Sequence, residues 1–340
     1  MKAFIQAERS IPCAQNILAH TGSNLSIMKS VLSLCSMLLL FACDNINASK
    51  VNSHGEASVG TDVLSKERPA TYLNIAEGEL PALMQPGTRL MPLISAHRGG
   101  RDIPGYPENS LEVFQYVVDS IPAMLECDIN MTSDGVLILM HDNSLDRTTT
   151  GNGAVRDKTW EQMSELKLVD DFGKRTGFSV PTLEQTLQWA RGKAILSLDV
   201  KRGVPFKNVI DLVEEYEMED YVVVITYNVN DALSVHRLNK DLMISVSIRN
   251  QEEWLRMKNS GIPYDRMVAF TGTRLSPKSL FETLHEENIP AILGTLGNLD
   301  QQAAAQGDSR TYGKFLDLGA DILATDRPLE AGKITEAYRK

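Results

Sequence analysis

From Met91 onward the chain alternates short apolar runs with amphipathic stretches, and this alternation constrains the fold more than any other feature. A short apolar run bounded by turn formers reads as a strand buried on both faces, and the amphipathic stretch after it reads as the helix that covers that strand. The candidate strands are 93–97, 124–129, 136–140, 195–200, 221–226, 242–248, 267–270, 291–293 and 322–324, nine in all. Helical patterns cover 111–118, 183–190, 209–216, 232–238, 252–258 and 277–287. Nine strands are one more than an eight-stranded barrel needs. The turn dipeptide Asp134-Gly135 leaves no room for a crossover helix between the second and third runs, so those two should form a hairpin. Centred on that turn, the hairpin would set His141 opposite Asp128, where cross-strand neighbours sit about 5 Å apart. The expectation is an α/β protein, a TIM (β/α)8 barrel over 89–340, with a small insertion at about 143–180 after the strand bearing His141. A doubly wound open sheet is the competing topology, because periodicity alone does not close a barrel.

Upstream of the barrel the pattern changes. Met28-Lys29-Ser30 opens a short apolar run ending in Leu40-Phe41-Ala42-Cys43, too short for a membrane span of about 20 residues and followed by polar sequence. Residues 28–43 read as a secretory signal whose ending resembles a bacterial lipobox, which implies acylation of Cys43. Residues 1–27 then look like an upstream extension, with Met28 as the true start, and 44–88 read as a Ser-, Asn-, Glu- and Gly-rich tether. The expected location is the bacterial cell envelope, lipid-anchored, periplasmic or surface-facing. A plain cleaved signal or an uncleaved anchor is the alternative. The net charge of −10 argues against nucleic acid as a partner, so an anionic substrate must meet locally placed positive charge. Three of the four cysteines precede the barrel, and Cys127, inside an apolar run, reads as a buried thiol.

In a parallel barrel the chemistry sits at the C-terminal ends of the strands. His97-Arg98-Gly99-Gly100 closes the first run, Glu126 and Asp128 end the second, His141 and Asp142 end the third, and Asp199 and Lys201 end the next. Alternation puts Glu126 and Asp128 on one side of their strand, and likewise Asp199 and Lys201. Three carboxylates at one mouth repel unless a cation neutralises them, and an all-oxygen set favours Mg²⁺ or Ca²⁺. Glu126, Asp128 and Asp199 are therefore the candidate ligands of one divalent ion. Arg98 and Lys201 add a positive lining that suits phosphate. Phosphodiester cleavage needs one group to take a proton from the attacking oxygen and another to protonate the leaving alkoxide, and His97 and His141 fit those tasks. His236 and His285 fall in helices on faces that read as solvated. Trp160, Trp189 and Trp254 read as packing.

Taken together, these residues resemble the glycerophosphodiester phosphodiesterase family. The carriers are His97-Arg98-Gly99-Gly100, Pro107-Glu108-Asn109-Ser110, Glu126-Cys127-Asp128, Thr132-Ser133-Asp134-Gly135 with His141-Asp142, Leu145-Asp146-Arg147-Thr148-Thr149, Val180-Pro181-Thr182-Leu183, Asp199-Val200-Lys201 and Thr325-Asp326-Arg327-Pro328. The resemblance implies hydrolysis of a small glycerophosphodiester to glycerol 3-phosphate and an alcohol. It also implies His97 and His141 as the acid–base pair, Glu126 and Asp128 as metal ligands, and Arg98 and Lys201 as phosphate contacts. Glu108 and Asn109 are implied parts of the inner, substrate-binding site, and no obligate protein partner is implied. The chain departs from the family pattern twice. Asp199 stands where glutamate is common, and Leu293-Gly294-Thr295-Leu296-Gly297-Asn298 replaces a common Trp-Thr-Val-Asn segment. Two other readings remain at this point: a related phosphodiesterase in which the substrate's own hydroxyl attacks phosphorus, and a binding lipoprotein that keeps the barrel without catalysis.

Overall fold

The computed structural model describes residues 71–89 and 91–338. The expected extension, the signal, Cys43 and most of the tether lie outside the described residues. The chain runs β1 (Ile94–Ala96), β2 (Met124–Met131), β3 (Leu137–Leu139), β4 (Lys167–Val169), β5 (Arg175–Ser179), β6 (Ile195–Val200), β7 (Val222–Thr226), β8 (Met243–Ser247), β9 (Met267–Phe270), β10 (Ala291–Gly294) and β11 (Ile322–Thr325). Strands β1, β2 and β6 to β11 are hydrogen-bonded in parallel in that order, and β1 pairs with both β11 and β2. This second pairing closes the sheet, so the fold is an eight-stranded parallel barrel, not an open sheet. The strands are buried almost throughout, with Val222, Val223 and Val224 of β7 showing no exposure, as two covered faces require.

The surplus strand is the expected hairpin partner, since β3 runs antiparallel to β2 outside the barrel. Its register is one residue away from expectation. Ile129 pairs with Leu139, and Met140 N donates to Asp128 O, so Asp128 faces Met140 and His141 falls one place further along. The cause is the turn. Thr132 and Val136 close a loop of three residues, Ser133-Asp134-Gly135, with Gly135 at φ 88, and an odd-numbered loop shifts the pairing by one.

The insertion has its own small core of Met140, Leu145, Val155, Met163, Leu168 and Val180. It holds the helix Trp160–Ser164, started by a Thr159/Gln162 capping box, and an unforeseen antiparallel β4–β5 hairpin. The hairpin tip reaches the loop after β1: Asp170 accepts from Gly105 N at 2.9 Å and Asp171 from Asp102 N at 2.7 Å. The expected tether needs correction at its end. Within 71–88, Leu73, Ile75, Leu80 and Met84 are buried, and Leu73 N donates to Lys193 O while Tyr221 Oη bonds Ile75. These apolar residues pack on the N-terminal ends of β6 and β7, opposite the mouth, so this stretch is part of the domain. Two further helices, Asn298–Gln306 and Arg310–Leu318, separate β10 from β11.

Candidate active site

Strand register gathers the site. Asp128 of β2 lies beside Asp199 of β6, and Glu126, two residues earlier on β2, shares its face. The carboxylate oxygens of Glu126, Asp128 and Asp199 come within 4.8 Å of one another, and all three residues are buried. At barrel closure Ala96 pairs with Leu125 on one side and Thr325 on the other, so His97, the next residue, sits between Glu126 and Asp326. His97 Nδ1 lies 2.7 Å from Asp326 Oδ1, and Nε2 lies 3.9 Å from Glu126 Oε2. This pairing gives Nδ1 the proton and leaves Nε2 facing the carboxylates. Burial lowers the imidazole's affinity for a second proton, but the Asp326 hydrogen bond and the Glu126 charge outweigh it, and its pKa is raised.

The loop holding His97 depends on glycine. Arg98, Gly99 and Gly100 have φ of 54, 86 and 110, and this left-handed run aims Arg98 N at Glu126 Oε2, 2.9 Å away. A Cβ on Gly99 would lie 2.4 Å from Val113 Cγ1, and one on Gly100 2.9 Å from Pro328 Cδ. The glycines therefore allow close packing against the helix Leu111–Ser120 and the loop after β11.

Two cations stand among the three acids. Lys201 Nζ lies 2.6 Å from both Asp128 Oδ1 and Asp199 Oδ2. Arg98 Nε is 3.2 Å from Asp128 Oδ2 but lies off the hydrogen-bonding direction, so this buried N–H has no hydrogen-bond partner. Asn109 completes the cradle of Asp128, donating from Nδ2 to Oδ2 at 2.7 Å and accepting from Asp128 N. Asp128 is buried, which disfavours its charge, yet Lys201 and Arg98 hold its pKa below the usual range. Glu126 has less help, and burial followed by the Asp128 charge pushes its pKa up to about 8. Were all three acids ionised, Arg98 and Lys201 would leave one negative charge uncompensated, and it falls on Glu126, whose raised pKa reflects it. A buried, all-oxygen cluster short of positive charge fits a hard divalent cation.

His141 is wired in the same way through different residues. Its Nδ1 lies 2.6 Å from Asp142 Oδ1, and Arg147 from the insertion donates Nε to Asp142 Oδ2 at 2.7 Å. The other edge of the Arg147 guanidinium makes two 2.8 Å bonds to Glu108, which also meets Arg98 at 3.3 Å. Hydrogen bonds from Arg147 hold the Asp142 pKa far below the ordinary carboxylate value. Burial of Glu108 is likewise outweighed by Arg147 and Arg98, and its pKa is lowered. Glu108 and Asn109, the implied parts of the inner site, bond to Arg98 and Asp128 respectively.

A cavity of about 190 Å³ opens at the mouth, lined by His97, Glu126 and Asp199 together with Ile225, Phe270 and Leu296. Leu296 belongs to the segment that replaces the common tryptophan motif, and Phe270 puts an aromatic ring nearby. Tyr227, beyond β7, donates its hydroxyl to Asp199 Oδ1 at 2.9 Å. Asp326, Arg147 and Tyr227 were not singled out from sequence. The first two lie inside the motifs quoted above, whereas Tyr227 lies in none of them. His285 needs correction: it is half-buried against Asp321, with Nε2 2.7 Å from Oδ2, at the opposite end of the barrel from this site. Cys127 is buried between the acids, as expected.

Residues 97–312 match the glycerophosphoryl diester phosphodiesterase family. The chain is 30% identical over 161 residues to the glycerophosphodiester phosphodiesterase of Caldanaerobacter subterraneus, covering 45% of this chain and 65% of that one. To the Bacillus altitudinis glycerophosphodiester phosphodiesterase it is 27% identical over 260 residues, 73% of this chain and 100% of that one. The crystal structure of a glycerophosphoryl diester phosphodiesterase from Parabacteroides distasonis superposes with a TM-score of 0.74 at 33% identity, covering 78% of this chain and 94% of the other. With the closed barrel and the strand-end cluster already in place, the chain belongs to the glycerophosphoryl diester phosphodiesterase family of phosphoric diester hydrolases.

Proposed function

We propose that this protein hydrolyses glycerophosphodiesters to glycerol 3-phosphate and an alcohol, using one divalent cation, Mg²⁺ or Ca²⁺, and the imidazoles of His97 and His141. The observation that carries this reading is the convergence of Glu126, Asp128 and Asp199 within 4.8 Å beside an imidazole tied at Nδ1. Glu126, Asp128 and Asp199 would hold the cation, which would supply charge neutralisation and polarise phosphoryl oxygens. Arg98 and Lys201 face the phosphate and exchange part of their carboxylate pairing for its oxygens. In each histidine a carboxylate on Nδ1 leaves Nε2 to move the proton and stabilises the imidazolium as it forms. One imidazole takes a proton from water as its oxygen bonds to phosphorus. The other gives a proton to the alkoxide as the ester P–O bond breaks. The apolar wall of Ile225, Phe270 and Leu296 packs against the carbon skeleton and keeps bulk water out.

The test is a panel of glycerophosphodiesters assayed with and without Mg²⁺ or Ca²⁺, with the products identified. Glycerol 3-phosphate and free alcohol are expected, with activity lost to chelator and restored by metal. Turnover indifferent to chelator removes the cation from the reading, and a cyclic phosphate product replaces water with the substrate's own hydroxyl. We further propose that Cys43 carries the lipid that anchors the enzyme in the bacterial cell envelope. Mass spectrometry of the mature protein should find acylated Cys43 as its N-terminus, and an N-terminus elsewhere would overturn the anchor.

A further inference from the structure

Tyr227 is 60% exposed, among the most open of the large apolar side chains, yet its hydroxyl is directed at a buried carboxylate. It donates to Asp199 Oδ1 at 2.9 Å while the ring stands in the lining of the mouth cavity. An exposed phenol at a loop start has ample freedom to turn outward, so a directed bond to a buried carboxylate calls for a physical account. Asp199 supplies one. As an aspartate it is about 1.5 Å shorter than a glutamate at the same position, the length of one carbon–carbon bond. Its carboxylate therefore stays close to β6 and has few ways to adjust toward Glu126 and Asp128 on β2. Its second oxygen is held by Lys201 Nζ at 2.6 Å, and Lys201 is shared with Asp128. A lysine that must also face the phosphate is an inconstant support. The neutral hydroxyl of Tyr227 fixes the carboxylate without adding a charge that would compete with a cation.

We propose that Tyr227 is a positioning residue for the cation site, its hydroxyl fixing Oδ1 of Asp199 so that the short carboxylate presents its remaining lone pairs toward Glu126 and Asp128. The assignment rests on the reading that these three carboxylates hold a divalent cation. It acts through Asp199 and requires no contact between Tyr227 and the reacting atoms.

Tyr227→Phe keeps the ring and removes only the hydroxyl, which separates this role from that of a cavity wall. Calorimetric titration of Mg²⁺ and of Ca²⁺ into the full-length protein, without substrate, should show affinity about 10-fold weaker in Tyr227→Phe, the scale of a hydrogen bond to a charged group. The cation concentration giving half-maximal turnover should rise by the same factor. Affinity in Tyr227→Phe within about 2-fold of wild type overturns the role of Tyr227 and leaves the three-carboxylate site standing. If the wild-type protein takes up neither cation, the underlying reading fails and the positioning role with it. A raised KM with unchanged cation affinity also overturns the proposal, since it makes Tyr227 a substrate contact.

Discussion

His97 and His141 each hold a carboxylate against Nδ1, at 2.7 and 2.6 Å, but the two pairs are built on different foundations. Asp326 is 229 residues from His97, and the two meet only because β1 pairs with β11 when the barrel closes. Asp326 is in turn held by Asp300, whose Oδ2 accepts from Asp326 N at 2.8 Å and from the Thr325 hydroxyl at 3.0 Å. Asp142 is the neighbour of His141 in sequence, and what steadies it is Arg147, a half-exposed residue of the insertion. One imidazole is therefore supported by the closed barrel and the other by an appendage with its own small core. The buried pair Arg98–Glu108 joins them, since Glu108 accepts from Arg147 and Arg98 meets Asp128.

Replacing the rings themselves should have the largest effect. His97→Ala and His141→Ala should each lower turnover by at least about 100-fold with the fold intact by circular dichroism. If either variant retains wild-type turnover, the two groups are not a catalytic pair. Next comes the barrel-side foundation. Gly99→Ala puts a Cβ against Val113 in a left-handed backbone and should destabilise the protein by about 1–3 kcal/mol in urea unfolding. A neutral result would mean that the loop after β1 adapts freely and that His97 is no better anchored than His141.

The insertion-side foundation should yield more easily. Arg147→Ala leaves Glu108 with Arg98 alone and Asp142 with His141 alone, and it should lower kcat about 10-fold, the value of one charge-assisted hydrogen-bond set, with a smaller loss of stability because Arg147 is half-exposed. Arg147→Lys should recover little, because an ammonium cannot span both carboxylates as the guanidinium fork does. Unchanged kcat in both variants would show that His141 needs no support from the insertion.

The smallest effect belongs to the third imidazole–carboxylate pair, His285–Asp321, which serves as a control away from the candidate site. Its hydrogen bond to Asp321 outweighs partial burial and raises the His285 pKa above 6.5. A raised folded-state value means that this stabilisation is fully present below pH 6.5 and is lost as pH rises through the folded pKa. The side chain is about one-third exposed, so screening keeps the effect below about 1 kcal/mol. Above pH 6.5 the unfolding free energy should fall slightly more steeply in the wild type than in His285→Gln, which keeps only the part due to His97 and other groups. An identical slope in both proteins would assign it to another group.

Much of the barrel was legible because parallel strands covered on both faces must be apolar throughout, and eight such runs reappear as β1, β2 and β6 to β11. The helices Asn298–Gln306 and Arg310–Leu318 were not. The first, with its Gln-Gln-Ala-Ala-Ala-Gln centre, has only Leu299, Asp300 and Ala303 buried and so shows no clear apolar stripe. The β4–β5 hairpin was hidden for a related reason, since Leu168 is the one fully buried residue of those two strands. In the site, Glu126, Asp128, Asp199, His97 and His141 could be named because their types cluster at strand ends. Asp326 and Tyr227 could not be assigned partners, because contacts 229 and 28 residues apart leave no periodic trace.

The sequence by itself determined which residues become the barrel strands, that Glu126, Asp128, Asp199 and His97 arrive at the barrel mouth, and that the surplus run folds back as a hairpin. Those outcomes follow from local pattern: apolar runs, side-chain alternation and a Gly-containing turn. Only the tertiary structure decided the one-residue register of that hairpin, the closure that sets Asp326 on His97, and the reach of Arg147 and Tyr227 into the site. Each of these depends on how separate elements pack, and the free energy that selects one packing over another is spread over many contacts, with no single residue pattern to announce it.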